Sequence, residues 1–203
     1  MAGRYLWLLD NGHGGFINGV YQTAGKRSPV WSDKSQLFEG EFNRAIVGRI
    51  IERCTVLGLR YVNIAPELGD IPLTERIERA NFWHTHNRCI YISVHSNAGG
   101  GKGYEIFTSR GTTQSDKIAD IFVQKFREEF PLVPIRTDYS DGDSDKEVDY
   151  FVLKFTRMPA VLTENFFMDN QLECHKYLLT RDGRDRIAEA HVKAMLHIET
   201  YGL

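Results

Sequence analysis

The alternation of short apolar runs with amphipathic segments predicts an α/β domain. Apolar runs that end in glycine or polar residues are typical of buried strands, and apolar residues at helical spacing indicate helices. The predicted strands are Tyr5–Asp10, Leu59–Ala65, Cys89–His95, Gly103–Thr108 and Pro159–Thr163. The predicted helices are Phe42–Leu57, Leu73–His86, Gln114–Phe130, Leu172–Leu179 and Arg181–Tyr201. This order favours one domain over residues 1–203, with a mostly parallel twisted sheet and helices on both faces.

Two polar segments show neither the apolar runs typical of strands nor the spacing typical of helices. Asn11–Leu37 is rich in Gly, Ser, Asn and Lys and is predicted to be a long loop, and such loops in a small domain are often functional. Arg136–Tyr150 is polar and acidic and is predicted to be a mobile surface loop.

Three polar side chains follow predicted strands at the points where those strands end. His13 comes after the first strand, His95 closes the third, and Glu164 follows a late one. Ligands of open parallel sheets bind at the carboxyl ends of the strands. We therefore expect these three residues to belong to one functional site.

Composition and charge exclude several classes of partner. The chain is 42% hydrophobic and 26% charged, which is ordinary for a globular protein, and its net charge of −2 gives no long-range attraction to nucleic acid or anionic lipid. Its three cysteines are scattered, which argues against a disulfide framework. No apolar run approaches the ~20 residues of a membrane span, and Tyr5–Leu9 is too short for the core of a signal peptide. We expect a monomer without nucleic-acid partners or membrane insertion.

The candidate residues fit a catalytic zinc site. Such sites usually hold three protein ligands, commonly His and carboxylate, and keep one position open. His13, His95 and a carboxylate near the first helix could form this set, although spacing so wide is only weakly specific. Taken alone, each residue also has a structural interpretation, such as a turn residue or a helix cap. The other histidines lie on predicted helices or at their ends and are interpreted as structural: His84, His86, His175, His191 and His197.

Several motifs, taken in order, resemble a known family. They are LLDNGHGG, LTERIERAN, YISVHSNA followed by GKGYEIF, and PAVLTENFFMDN. They resemble the zinc-dependent N-acetylmuramoyl-L-alanine amidases of the Amidase_3 type, and the resemblance covers nearly the whole chain. Two positions depart from the family pattern, since Asn11 replaces the usual proline and Thr163 the usual aliphatic residue before the glutamate. Neither change removes a ligand or the acid–base group.

The resemblance implies a role for each matching residue. His13 and His95 would bind zinc together with the glutamate that opens the first helix. Both Glu39 and Glu41 qualify, and Glu41 is preferred because Asn43 follows it at the spacing usual in the family. The catalytic carboxylate would be Glu164.

Four further residues are candidates for supporting roles. Asn97 could position substrate or orient the loop of His95, and Arg76 could pair with a carboxylate of the protein or of the substrate. Asp10 and Ser93 could accept the remaining ring N–H of a histidine ligand.

The implied activity is hydrolysis, with a Zn²⁺ cofactor, of the amide between N-acetylmuramic acid and L-alanine in peptidoglycan. Such an enzyme acts on the cell wall, as an autolysin or endolysin. Without a visible export signal, we expect a phage-type lysin that stays cytoplasmic until release, or a chain whose signal was removed. The alternatives are a non-catalytic module that binds cell-wall peptide, and a zinc-dependent peptidase or deacylase for another amide. A serine hydrolase is disfavoured because no G-x-S-x-G motif is present.

Overall fold

A six-stranded twisted sheet forms the centre of the molecule. In the computed structural model, which describes residues 3–140 and 142–203, its order is β4-β1-β5-β8-β6-β7, and β2 and β3 form a separate hairpin. The strands are β1 Leu6–Asn11, β2 Phe16–Ile17, β3 Val20–Tyr21, β4 Arg60–Asn63, β5 Cys89–Asn97, β6 Tyr104–Thr108, β7 Lys146–Glu147 and β8 Ala160–Phe167. The helices are α1 Glu39–Leu57, α2 Leu73–His84, α3 Gln114–Glu129, α4 Phe151–Phe155, α5 Gln171–Glu173 and α6 Arg181–Tyr201.

Alternating apolar residues cover both faces of the sheet. Trp7 and Leu9 of β1 belong to the larger core cluster, which includes apolar residues of α1, α3 and α6. Leu6 and Leu8 point to the opposite face and pack in a second cluster with residues of α2 and α4. Successive strand residues face opposite sides, so a strand that is apolar throughout is buried on both. The predicted α/β architecture with helices on both faces is confirmed.

Most of the sheet is parallel, as predicted. Strands β4, β1, β5 and β8 run in one direction. β6 pairs antiparallel with β8, and β7 is parallel to β6, so one edge of the sheet is reversed. The register places His95 beside Glu164, and an irregularity follows between His95 and Asn97. The carboxyl ends of β1, β5 and β8 therefore meet at one edge, as expected for a ligand site.

Several local predictions need correction. The first helix begins at Glu39, three residues before the predicted Phe42. The predicted loop 11–37 contains the β2–β3 hairpin, whose turn residues Asn18 and Gly19 both have positive φ, as a type I′ turn requires. Helix 172–179 is only partly α-helical, because α5 passes into a π-helical turn at Cys174–Leu178.

The polar segment 136–150 is not entirely irregular. It contains the short strand β7, which pairs with β6. Residue 141 of this predicted loop lies outside the described residues. So do residues 1 and 2 at the start of the predicted domain. Among the described helices, none is sufficiently long and apolar to cross a lipid bilayer.

Candidate metal centre

Three separate segments bring their side chains together at the carboxyl edge of the sheet. His13 follows β1, Glu39 is the first residue of α1, and His95 lies near the end of β5. Glu39 Oε1 is 3.2 Å from His13 Nε2 and 3.0 Å from His95 Nδ1. One nitrogen or oxygen of each residue lies within 4.8 Å of the others, which is compact enough to hold one metal ion.

Backbone geometry that favours glycine makes this approach possible. A Cβ on Gly12 would lie 2.0 Å from His95 Cε1, and a Cβ on Gly40 would lie 1.9 Å from the carbonyl oxygen of Gly14. His13 itself has a φ of 68°, a left-handed conformation that is uncommon for a residue with a side chain. The buried Asn43 holds this loop by donating from Nδ2 to the carbonyl of Gly12 at 2.9 Å.

The preference for Glu41 over Glu39 is corrected by this geometry. The Glu39 side chain is only 2% exposed and lies between the two histidines. Glu41 is instead 44% exposed and accepts two hydrogen bonds of 2.8 Å from Arg184 of α6. A step of two residues turns a helix by about 200°, so the two side chains leave α1 on nearly opposite sides.

Contacts within the cluster keep the Glu39 carboxylate ionised. Burial would raise the pKa of Glu39, but hydrogen bonds to His13 and His95 outweigh it and hold that pKa far below its ordinary value. Burial would lower the pKa of His95, and the contact with Glu39 reverses this effect and raises it. A carboxylate that stays ionised between two imidazoles is a ready metal ligand.

A chain of hydrogen bonds fixes the orientation of His95. Ser93 Oγ donates to Asp10 Oδ2 at 2.9 Å, so it must accept from His95 Nε2, 3.1 Å away. This arrangement puts a proton on Nε2, so Nδ1, which faces Glu39 at 3.0 Å, is the ring nitrogen that would bind a metal once its own proton has left. The expected roles of Ser93 and Asp10 as partners of a histidine therefore agree with the geometry at His95.

Arg76 completes this chain from α2. It is buried, forms an ion pair with Asp10 Oδ1, and donates to the carbonyls of Asn11 and Ile71 at 2.9 Å each. Tyr91 donates to Asp10 Oδ2 at 2.6 Å. Of the two partners considered for Arg76, the protein carboxylate is the one that the structure provides.

Glu164 lies beside the cluster but outside it. It neighbours His95 across the β5–β8 pairing, and its buried Oε2 has no hydrogen-bond partner among the described residues. Burial raises the pKa of Glu164 to about 8, and the charge of Glu39 adds to this effect while His95 opposes it. A carboxyl that exchanges its proton near neutral pH is suited to general acid–base chemistry.

Asn97 is held at the rim of the site by a buried carboxylate. Its Nδ2 donates to Glu105 Oε2 at 2.5 Å, and Glu105 Oε1 accepts from Arg136 and from Lys146. Glu105 is not among the site residues predicted from the sequence. Its only signal was a carboxylate in an otherwise apolar strand.

These groups open into one cavity of about 430 Å³. Its wall contains all three cluster residues, Glu164 and Asn97, together with apolar side chains at the mouth. Tyr150, Phe151 and Leu73 contribute that apolar surface. The volume falls within the usual range for small-ligand sites.

The donor set fits zinc better than a hard cation. Two imidazoles and one carboxylate are a common ligand set of catalytic zinc, while Ca²⁺ and Mg²⁺ prefer oxygen alone. Among the described residues, the buried His13 Nε2 has no polar partner other than Glu39 Oε1 at 3.2 Å, so this nitrogen is available as a metal ligand.

Comparisons with known proteins identify relatives of this chain. The family described as N-acetylmuramoyl-L-alanine amidase, Amidase_3, matches residues 8–197. An endolysin of Bacillus phage SPP1 is 30% identical over 207 residues, which cover 96% of this chain and 66% of that protein. The amidase CwlM of Bacillus licheniformis is 36% identical over 107 residues, or 52% of this chain and 38% of that protein. This chain therefore spans about two thirds of the phage relative and less than half of the bacterial one.

A solved structure shows the same fold. The N-acetylmuramoyl-L-alanine amidase from Clostridium difficile 630 superposes with a TM-score of 0.75 at 20% sequence identity, covering 98% of this chain and 99% of that one. The match of the family over nearly the whole length decides the assignment: the chain belongs to the N-acetylmuramoyl-L-alanine amidase family, Amidase_3.

Proposed function

We propose that the protein hydrolyses the amide bond between N-acetylmuramic acid and the L-alanine of the peptidoglycan stem peptide. The observation that carries this proposal is the cluster of His13, Glu39 and His95 with Glu164 beside it, in a chain of the amidase family. The names of the relatives, an endolysin and cell-wall amidases, support a substrate in the cell wall.

His13, Glu39 and His95 would hold Zn²⁺, with Nε2, Oε1 and Nδ1 as their donor atoms. When bound, Zn²⁺ supplies Lewis acidity, which makes water nucleophilic near neutral pH and polarises the amide carbonyl. The hydrogen bonds from His95 through Ser93 to Asp10 keep Nδ1 directed at the site.

Glu164 would transfer the proton. It takes a proton from the attacking water as the new C–O bond forms at the lactyl carbonyl. It then gives that proton to the alanine nitrogen as the C–N bond breaks, leaving a lactyl carboxylate and a free amine. Its Oε2 has no hydrogen-bond partner among the described residues, which leaves this oxygen available to water.

The apolar mouth of the cavity supports a substrate with apolar side chains. Tyr150, Phe151 and Leu73 are each partly exposed there, and they offer contact surface for the methyl groups of alanine and lactyl units. Asn97, fixed by Glu105, could donate to a carbonyl of the sugar or peptide.

The test is to incubate the protein with purified peptidoglycan and to identify the products by mass spectrometry. We expect soluble stem peptides with N-terminal alanine, no product after chelation, and recovery on adding Zn²⁺. Glu164→Gln should bind zinc as tightly as the wild type and lose at least ~10²-fold in turnover. Glu41→Gln, outside the cluster, is the matched control and should retain turnover.

Other outcomes separate the alternatives. A zinc-loaded wild type that releases no peptide from peptidoglycan would contradict the proposal and point to a different amide substrate. A wild type that binds muropeptide without binding metal would indicate a non-catalytic module. Full turnover by Glu164→Gln would refute the role of Glu164.

A further inference from the structure

A second cluster of carboxylates lies apart from the metal centre. Asp116 belongs to the first turn of α3, and Asp143 and Asp145 precede β7. One carboxylate oxygen from each lies within 4.8 Å of the others. The cluster shares no residue with the metal centre and contains no histidine, so its chemistry is different.

The burial of Asp145 points to a missing ligand. This side chain is 2% exposed, and its Oδ2 accepts a hydrogen bond of 2.5 Å from Thr108. Its Oδ1 is buried as well, and no neutral or basic donor among the described residues reaches it; the contact of this carboxyl with Asp143 is with another acid. Leaving a buried carboxylate oxygen unsatisfied is costly, so native proteins rarely do so without an ion or water.

The neighbours of Asp145 do not neutralise it. Among the described residues, the side chains that act most on its carboxyl are Thr108, Asp143 and Asp116, and none of these is basic. Burial and the adjacent carboxylates raise the pKa of Asp145 to about 7. Asp116 is 5% exposed, and within the described part of the chain it accepts hydrogen bonds only from Thr113, whose donors are neutral. The cluster therefore concentrates negative charge that a cation would balance.

We propose that Asp116, Asp143 and Asp145 bind a divalent cation of the hard, oxygen-preferring class, for which Ca²⁺ is the best match. Ca²⁺ takes carboxylate oxygens in irregular geometry and completes its shell with carbonyls and water. Two of the aspartates are separated by a single residue, as in loops that wrap one cation. Zinc would prefer the imidazoles of the metal centre.

The position of the cluster gives such a cation a structural effect. It would join the end of β6, through Thr108, to the start of α3 and to the segment that leads into β7. Lys146 of β7 donates to Glu105 at 2.6 Å, and Tyr150, four residues later, lines the catalytic cavity. Cation binding would thus stabilise one wall of that cavity.

The test uses the full chain loaded with Zn²⁺. Ca²⁺ is titrated by calorimetry, and thermal unfolding is followed with and without Ca²⁺. We expect saturable binding of one Ca²⁺ and a rise of the thermal midpoint by roughly 5–10 °C when Ca²⁺ is about 100 times its Kd. Mg²⁺ should bind at least ~tenfold more weakly, because it demands a more regular shell.

Two variants locate the site. Asp145→Asn should weaken Ca²⁺ binding at least ~tenfold, and Asp143→Asn, at a less buried position, should do the same with less risk to folding. Asp138→Asn removes the same charge from an exposed aspartate outside the cluster and is the matched control, with binding unchanged.

The proposal fails if the wild type shows neither a heat of Ca²⁺ binding nor a shift of the thermal midpoint with Ca²⁺. It also fails if Asp143→Asn and Asp145→Asn bind Ca²⁺ as tightly as the wild type. A cluster that shares a proton instead would give Asp145→Asn a higher midpoint than the wild type, with no response to Ca²⁺ in either. None of these measurements depends on amidase activity, so they stand or fall separately from the proposed function.

Discussion

At the residue scale, the position of a side chain around a helix decides which glutamate reaches the candidate metal centre. Glu39 lies three residues before Phe42 and seven before Ile46, so it extends the buried stripe of α1. Glu41 leaves the helix on another side and meets Arg184. The helical spacing of the apolar residues in α1 can be read from the sequence. Extended by one turn towards the N-terminus, the same spacing places Glu39 on the buried face of the helix. Asn43, which suggested Glu41, shares a face with Glu39 four residues away.

We expect Glu39→Gln to lose zinc and Glu41→Gln to keep it. The first change removes the ionised donor between the two imidazoles. The second removes half of a partly exposed ion pair, which costs about 1 kcal/mol or less of stability. Metal analysis of the purified variants checks this, and a zinc-free Glu41→Gln with a fully loaded Glu39→Gln would reverse our assignment.

A buried histidine makes stability depend on pH. His191 of α6 is buried, its Nδ1 lies 2.8 Å from the carbonyl of Ile187, and its Nε2 lies 3.1 Å from Thr163 Oγ1. Burial lowers the pKa of His191 to about 4. Because the unfolded chain then binds a proton more readily, the contribution of His191 is complete above pH ~6.5 and is lost as the pH falls towards 4.

The unfolding free energy of the wild type should fall between pH 7 and pH 5, and we expect this fall to be about 2 kcal/mol smaller in His191→Gln. Denaturant unfolding at the two pH values measures it. His197→Gln, on the same helix but partly exposed, should unfold with the pH dependence of the wild type. An unchanged pH dependence in His191→Gln would show that other groups cause the drop.

At the scale of elements, one buried ion pair joins α2 to the end of β1. Arg76 and Asp10 are each 2% exposed, and Asp10 also receives the hydrogen bonds of Ser93 and Tyr91. The pair thus connects the packing of α2 to the orientation of His95. Its effect on the metal site is indirect, through the position of Asp10.

We expect Arg76→Met to cost about 3–5 kcal/mol of stability, because it leaves Asp10 buried without its counter-charge. It should also weaken zinc binding, since Ser93 loses a fixed acceptor. Arg79→Met removes the same type of side chain from the same helix, where the ion pairs with Glu67 and Glu75 are partly exposed, and should cost about 1 kcal/mol or less. Chemical denaturation compares the two, and equal losses would contradict the special role of Arg76.

At the scale of the whole molecule, the candidate metal centre links segments that are distant in sequence. His13, Glu39 and His95 come from a loop, a helix and a strand, and they meet only when the sheet has formed. A metal ion held by these three residues binds the folded state in preference to the unfolded chain. Its binding energy therefore adds to the stability of the fold.

We expect removal of Zn²⁺ by a selective chelator, at constant Ca²⁺, to lower the thermal midpoint by roughly 5–10 °C relative to protein with free Zn²⁺ about 100 times its Kd. His13→Ala should have a midpoint that does not respond to Zn²⁺. Scanning calorimetry measures both. A wild-type midpoint that is independent of Zn²⁺ would argue against a metal held by these three segments.

The sequence alone determined the architecture and indicated most residues of the candidate site. When buried strands alternate with amphipathic helices, few arrangements pair the backbone hydrogen-bonding groups of the strands and also bury the apolar faces of the helices. An α/β sheet covered on both faces therefore followed directly. The motifs, taken in order, indicated His13, His95 and Glu164; His13 and His95 lie near the ends of β1 and β5, whereas Glu164 lies within β8, beyond the predicted end of that strand. The Asn18–Gly19 pair also signalled the hairpin that the loop prediction overlooked.

Only the tertiary structure decided the choices that depend on distance. It distinguished Glu39 from Glu41, gave Arg76 a protein partner, and brought Glu105 to Asn97. It also reversed one edge of the sheet and assembled Asp116 with Asp143 and Asp145 across a gap of more than twenty residues. The reason is physical: sequence periods fix the face on which a side chain lies, but packing between distant segments fixes which group it meets.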